Sequence, residues 1–443
     1  MTPGNQPGPR GDQPATPRWK QLLALLSLAL SLLLWLNGLL DSLSRPSVGN
    51  ALNRRQLELA VLAEPSLPAP WRPLLAGSQP RQALAEALHG EVSRSAEAGN
   101  PAPASLQLLE QGLNRLQSGQ ADQARAPLEQ LLAETPTGQR QERRLAEALL
   151  QPQRPAVQAE SHRAALRLVA VTVGPAVVLL LGIALVLREL WQRWRGRSPE
   201  APPLQGPGLG GLDVVLLIAG GFVVVGELLT PLLVAPLLNG LLTAQAIASP
   251  LREGLSVLGL YLALMAGPLL ILVAMLRGLG PAPEGGWLQF RWRPLASALR
   301  RALRTLLMVL PLVSLAGWLL ERLWREASGS NPLLELVLNS HNLPALACFG
   351  FTAVVLAPLF EETIFRGVLL PVAARQLGPG WGVLISAAVF AVAHLSLGEL
   401  LPLLVLGLGL GWLRWSGGRL GSCVLMHALW NGLTFSNLVL LGW

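Results

Sequence analysis

Glu361, Glu362 and Arg366 stand together in a stretch that is otherwise apolar, Phe360-Glu361-Glu362-Thr363-Ile364-Phe365-Arg366. No charge occurs from Cys348 to Leu359, and none from Gly367 to Ala374. A charged side chain at membrane depth costs about 2.5–3.5 kcal/mol on insertion scales, so three kept together imply use. A plain loop between two membrane helices is the competing reading, and the histidines weigh against it. His394 closes Phe390-Ala391-Val392-Ala393-His394, and His427 opens His427-Ala428-Leu429-Trp430-Asn431, both in later apolar spans. A lone intramembrane histidine reads as a packing or helix–helix hydrogen-bonding residue. Two of them beside a Glu-Glu-Arg cluster read as a site.

The spacings are chemically coherent. Glu362 and Arg366 are four apart, so on a helix they share a face and can pair. Glu361 points about 100° away from Glu362 and is left free to act. His427 and Asn431 are also four apart and can reach into one cavity. A carboxylate that takes a proton from water, with a histidine and an amide to stabilise an oxyanion, suits peptide hydrolysis. Glu361, His394 and His427 also suit zinc with one open position, so a metal-dependent and a metal-free chemistry both stay open. Other intramembrane hydrolases are disfavoured. The aspartates are Asp12, Asp41, Asp122 and Asp213, which give no membrane pair. No glutamate follows His394 or His427, so there is no HExxH. Ser416-Gly417-Gly418 reads as a turn after a helix rather than a serine nucleophile motif.

These residues need a membrane scaffold, and the composition supplies one. The chain has 443 residues, 51% hydrophobic and only 14% charged, against about 25% charged in ordinary soluble domains. An N-terminal anchor is expected at 19–41, after a disordered tail at 1–18 rich in Pro, Gly and Gln. Its apolar core is too long for a cleaved signal peptide. Residues 42–163 are charged and balanced in sign, with Leu, Ala and Glu at helical spacing in 82–88, 106–116, 124–133 and 143–150. They read as a soluble helical insert and a surface for a protein partner. Gly119 to Pro136 resembles the second half of a tetratricopeptide repeat, although a generic amphipathic helix pair is the preferred reading.

The multi-pass membrane domain is expected over 164–443. Its spans fall near 168–187, 212–236, 254–276, 305–320, 343–360, 380–397, 400–413 and 421–441. The fold class is therefore all-α, a polytopic bundle of about eight membrane helices with an anchor helix and a soluble insert. Basic residues lie in the tail, in 188–197, in 277–304, in a loop holding Arg366 and Arg375, and in one holding Arg414 and Arg419. All five have the same parity, so that side should be cytoplasmic and the insert extra-cytoplasmic. The net charge of +8 thus reflects topology, and no nucleic-acid-binding motif occurs. Cys348 and Cys423 form no CxxC and read as small core residues. Abundant arginine with Lys20 as the sole lysine suits a GC-rich bacterial source, hence a bacterial cell membrane.

At the site residues the chain resembles the CPBP family of intramembrane proteases, which includes type 2 CAAX prenyl proteases and bacteriocin-processing or immunity proteins. The family pattern is EExxxR, FxxxH and HxxxN. Here it reads Glu361-Glu362-x-x-x-Arg366, Phe390-x-x-x-His394 and His427-x-x-x-Asn431, within about 340–440. The resemblance implies that Glu361 is the general base and that His394 helps to orient the water. It makes His427 and Asn431 the oxyanion hole, with Glu362, Arg366 and Phe390 in support. The implied substrate is a membrane-associated or prenylated protein or peptide, with zinc as a candidate cofactor. A non-catalytic scaffold or immunity-like protein is the alternative. A proton-coupled transporter would show internal repeats, which the sequence lacks.

Overall fold

The computed structural model describes residues 17–45, 48–97, 99, 101–134, 141–197, 200–324, 329 and 332–442. Residues 1–16 of the tail expected at 1–18, and Pro136 of the repeat-like motif, lie outside them. Among the described residues the regular structure is helical with no strand, and 8 helices are long and apolar enough to cross a membrane. The all-α polytopic bundle expected from composition is therefore the fold.

The anchor α1 (Arg18–Ser42) turns leucines such as Leu25, Leu32 and Leu33 outward, as a helix surrounded by lipid does. Its inner face bonds to α8 (Gly211–Ala244). Lys20 Nζ meets Asp213 at 2.5 Å, Ser31 Oγ donates to the Ala219 carbonyl at 3.0 Å, and Trp35 Nε1 donates to Glu227 at 2.9 Å.

Between α1 and the later spans lie α2 (Val48–Ala63), α3 (Pro80–Glu97), α4 (Ala104–Gln117), α5 (Ala121–Glu134) and α6 (Gln141–Leu150). The helical periodicities read from the sequence fall inside α3 to α6. Helices α4 and α5 form a close pair because Gly112 has no Cβ to meet Leu128, which would lie 2.6 Å away. The next helix, α7 (Pro155–Trp194), has 40 residues and is about 60 Å long, twice the hydrocarbon thickness. Its Ala164 and Leu168 share a core with Leu84, Leu109 and Leu131, so the helical region continues into the membrane without a break at 164. Glu58 is fully buried between Arg54 at 2.6 Å and Arg55 at 3.0 Å. Gln141 Nε2 donates to the Leu441 carbonyl at 2.9 Å, which ties α6 to the end of the last helix.

The remaining helices are α9 (Leu251–Arg277), α10 (Leu295–Leu323), α11 (Pro332–Asn339), α12 (Leu343–Leu377), α13 (Pro379–Val392), α14 (Leu400–Gly417) and α15 (Leu420–Gly442). Three sequence expectations are corrected by the structure. The span expected at 343–360 runs on to Leu377 as one helix, so Arg366 lies inside it and not in a loop. Likewise Arg414 lies within α14, fully buried. Both arginines are tolerated because backbone carbonyls and a carboxylate take their donors, which sequence hydropathy cannot register. The span expected at 380–397 also stops early: α13 ends at Val392, and Leu395 follows with φ 50°.

Candidate active site

The site is built on the middle of α12. A π-helical stretch, Thr363–Leu369, begins directly after Glu362, and another, Thr352–Leu356, lies two turns before it. Such widened turns shift the backbone pairing and often mark functional sites. Glu361 and Glu362 emerge between them in different directions, as their adjacency on a helix requires.

Glu362 is fully buried, and its Oε1 is shared. Arg366 Nη1 donates to it at 2.9 Å, and His427 Nδ1 lies on it at 2.9 Å. Arg366 is also fully buried. Its Nη2 donates to the Gly407 carbonyl of α14 at 3.1 Å, and its guanidinium lies 4.4 Å from the centroid of the Phe390 ring. Arg414 in turn donates from Nε to the Arg366 carbonyl at 3.2 Å. The pair is therefore neutralised, hydrogen-bonded and locked to α13, α14 and α15. A buried ion pair needs that density of partners to be tolerated. Gly407 is a glycine because α13 passes close by: a Cβ there would lie 3.0 Å from Ala387 Cα.

Glu361 is held differently. Tyr261 of α9 donates from its hydroxyl to Glu361 Oε1 at 3.1 Å. Glu361 Oε2 is buried with no hydrogen-bond partner. It faces His394 Nε2 at 4.0 Å and His427 Nε2 at 3.9 Å. Both separations exceed a direct hydrogen bond and are the kind that a bridging group spans. The tautomers follow from the far nitrogens. His394 Nδ1 lies 2.8 Å from the Phe390 carbonyl, which can only accept, so Nδ1 carries the proton. In a neutral ring Nε2 is then the lone-pair nitrogen facing Glu361. His427 Nδ1 meets the Glu362 carboxylate, so this nitrogen also carries a proton. Phe390 wedges both rings, with centroids at 4.7 Å from His394 and 5.6 Å from His427.

The structure thus brings Glu361, His394 and His427 to one point, with Glu362, Arg366 and Phe390 behind them. Asn431 sits one turn along α15 from His427, but its Nδ2 donates to the Ala353 carbonyl at 2.7 Å. That carbonyl lies in the first π-helical stretch. His394 lies in the turn after α13 rather than within a helix, and Leu395 N bonds back to the Val392 carbonyl at 3.0 Å. Sequence reasoning missed Tyr261 and Gly407. Tyr261 is the only tyrosine in the chain and lies in an apolar span, where a phenol usually has a hydrogen-bond partner. That signal was readable. Gly407 carried none, because its role is a carbonyl.

The zinc expectation can be weighed on the donors. Glu361, His394 and His427 converge, yet among the described residues no group of three or more His, Cys, Asp or Glu side chains is arranged to hold a metal ion.

Fold and site together define a polytopic membrane protein with a buried carboxylate and two imidazoles inside its helix bundle. Residues 343–433 match the family described as type II CAAX prenyl endopeptidase Rce1-like. The chain therefore carries a domain of the CAAX-type intramembrane protease family, in agreement with its CPBP motifs. Residues 49–170 match a domain of unknown function, DUF8675. No curated protein and no solved structure matches.

Proposed function

We propose that the chain is an intramembrane endopeptidase in which Glu361 activates water against a peptide bond of a membrane-associated, CAAX-like protein substrate. One observation carries this reading: the unpartnered Glu361 Oε2 faces His394 and His427 Nε2 at 4.0 and 3.9 Å, inside a membrane bundle. Glu362 is neutralised by Arg366 and held by His427 through Oε1, whereas Glu361 accepts only from the Tyr261 hydroxyl and turns its other oxygen toward two imidazoles. The substrate class rests on the family match of residues 343–433.

In the proposed reaction a water lies among the three groups. It donates one hydrogen bond to His394 Nε2 and gives its other proton to Glu361 Oε2. Its oxygen attacks the peptide carbonyl carbon, and the carbonyl π pair moves to oxygen. With His427 protonated on both nitrogens, Glu362 holds Nδ1–H and Nε2–H meets the oxyanion. The second N–H of Asn431 is the other donor. The oxyanion then collapses, the C–N bond breaks, and Glu361 returns the proton to the leaving amine. General-base and oxyanion assistance each supply about 10²–10³-fold or more in comparable sites. Tyr261 fixes the carboxylate so that Oε2, and not Oε1, is the reacting oxygen.

The positive-inside rule favours a cytoplasmic position for the arginine-rich end of the bundle, which holds Lys20 and residues 200–210. The helices at 48–150 then face the opposite compartment. The test is cleavage of a membrane-anchored peptide library by purified wild type, Glu361→Ala and His394→Ala. Loss of cleavage in both, with unchanged folding, is expected. Cleavage by Glu361→Ala at the wild-type rate would leave only the scaffold reading, which the buried Glu362–Arg366 ion pair favours for those two residues.

A further inference from the structure

Helices α7, α10 and α14 enclose a groove of about 650 Å³ that the reaction does not use. This is the size of a small-molecule pocket. Two glycines set it up. A Cβ at Gly182 of α7 would strike the Leu307 carbonyl oxygen of α10, and one at Gly409 of α14 would strike Val309 of α10. The helices touch backbone to side chain at these crossings. Between them the walls are apolar, with Val186, Leu190, Met308, Leu312, Val405 and Leu408.

The mouth at the arginine-rich end has a different character. Glu189 takes Arg193 Nε at 3.1 Å and Arg304 Nη2 at 2.7 Å. The Arg193 guanidinium lies 5.6 Å from the centroid of the Trp412 ring. Arg301 stands one turn before Thr305 on the same face of α10, and its Nη1 reaches the end of α14 at Gly417. Glu189 therefore meets two guanidinium groups, and with Arg301 on the same helix as Arg304 the mouth keeps a positive surplus. Arg193 and Arg304 remain 48% and 44% exposed, so they can take a further partner.

We propose that this groove holds one acyl chain of an anionic phospholipid, with its phosphate on Arg193, Arg301 and Arg304. Apolar walls at membrane depth accept any acyl chain, and the guanidinium surplus selects the headgroup. Basic pockets between membrane helices bind anionic headgroups in this way, and guanidinium geometry suits phosphate oxygens. The floor of the groove is α14. That helix supplies the Gly407 carbonyl to Arg366, and its Arg414 donates to the Arg366 carbonyl. A lipid against Leu408 and Trp412 thus touches the helix that holds the buried arginine of the site. The proposal does not depend on the proteolytic reading.

The experiment is native mass spectrometry of the full-length, detergent-purified chain with phosphatidylglycerol and phosphatidylcholine of identical acyl chains. A roughly tenfold preference for phosphatidylglycerol is expected, the scale that one or two interfacial arginines confer. Arg193→Gln/Arg304→Gln should bring the preference close to one while phosphatidylcholine binding is kept. Leu312→Trp, or the milder Leu312→Phe where folding suffers by circular dichroism, should weaken both lipids. Equal retention of the two lipids by wild type would overturn the proposal, as would a preference that survives the arginine substitutions. A farnesylated peptide forms the third arm. Its displacement of bound lipid, sensitive to Leu312→Phe, would give the groove to a prenyl chain and overturn the lipid assignment; no displacement supports it.

Discussion

Replacing Arg366 by methionine separates packing from chemistry most clearly. Arg366 and Glu362 are both fully buried, 2.9 Å apart. Arg366→Met leaves the Glu362 carboxylate buried with only His427 beside it, and removal of one member of a buried ion pair costs about 3–5 kcal/mol. It also removes the side-chain donor that the Gly407 carbonyl accepts in addition to its helical bond, worth about 1 kcal/mol. The two effects overlap, so the expected destabilisation is about 3–6 kcal/mol. The double variant Glu362→Leu/Arg366→Met removes both charges and keeps similar volume. Such exchanges are neutral or stabilising by about 1–4 kcal/mol, so thermal stability should recover. Activity should not recover, because His427 Nδ1 loses the carboxylate that orients it. The expected loss is about 10²–10⁴-fold in the cleavage step. Thermal unfolding in detergent and single-turnover cleavage of one peptide read the two effects separately. A double variant that is stable and cleaves at the wild-type rate would refute the positioning argument. A single variant as stable as wild type would refute the burial argument.

Tyr261→Phe removes one hydrogen bond to a charged acceptor, worth about 1.5–3 kcal/mol. It should slow cleavage about 10–100-fold with little change in melting temperature, and a wild-type rate would show that Tyr261 does not orient Glu361. Gly407→Val puts a Cβ 3.0 Å from Ala387 and should cost about 1–3 kcal/mol by overpacking, read as a lower melting temperature. Glu58→Ala takes the nearest carboxylate from buried Arg54 and Arg55 and leaves them Glu91 and Glu142 at 2.9–3.9 Å. It should destabilise the chain by about 1–3 kcal/mol, while Glu58→Gln retains part of the hydrogen bonding and should cost less. Equal melting temperatures for these two variants would contradict a charge-based role.

Much of the site was readable because its logic is helical. The i, i+4 spacing of Glu362 and Arg366 required a shared face, and they pair at 2.9 Å even across a π-helical turn. The apolar runs marked the spans because hydrocarbon accepts little else. What escaped was set by backbone groups. Arg366 and Arg414 were read as loop residues because hydropathy counts a guanidinium as a charge. It does not count the carbonyls of Gly407 and Gln205 that receive its donors. The early end of α13 at Val392 was hidden because Ala393, His394 and Leu395 carry no helix-breaking residue. Tyr261 lies 100 residues before Glu361, and a single chain gives no sign of which helix faces which. The unbroken α7 was likewise invisible, since its polar first half and apolar second half read as two regions.

The central proposal is that Glu361 is the base that activates the attacking water. The most direct measurement compares peptide cleavage by wild type and Glu361→Gln after exhaustive chelator treatment, with bound metal quantified in the same samples. Undiminished cleavage by metal-free wild type, and none by Glu361→Gln, is the expected result. Loss of wild-type cleavage on chelation that zinc restores, or cleavage by Glu361→Gln, would contradict it.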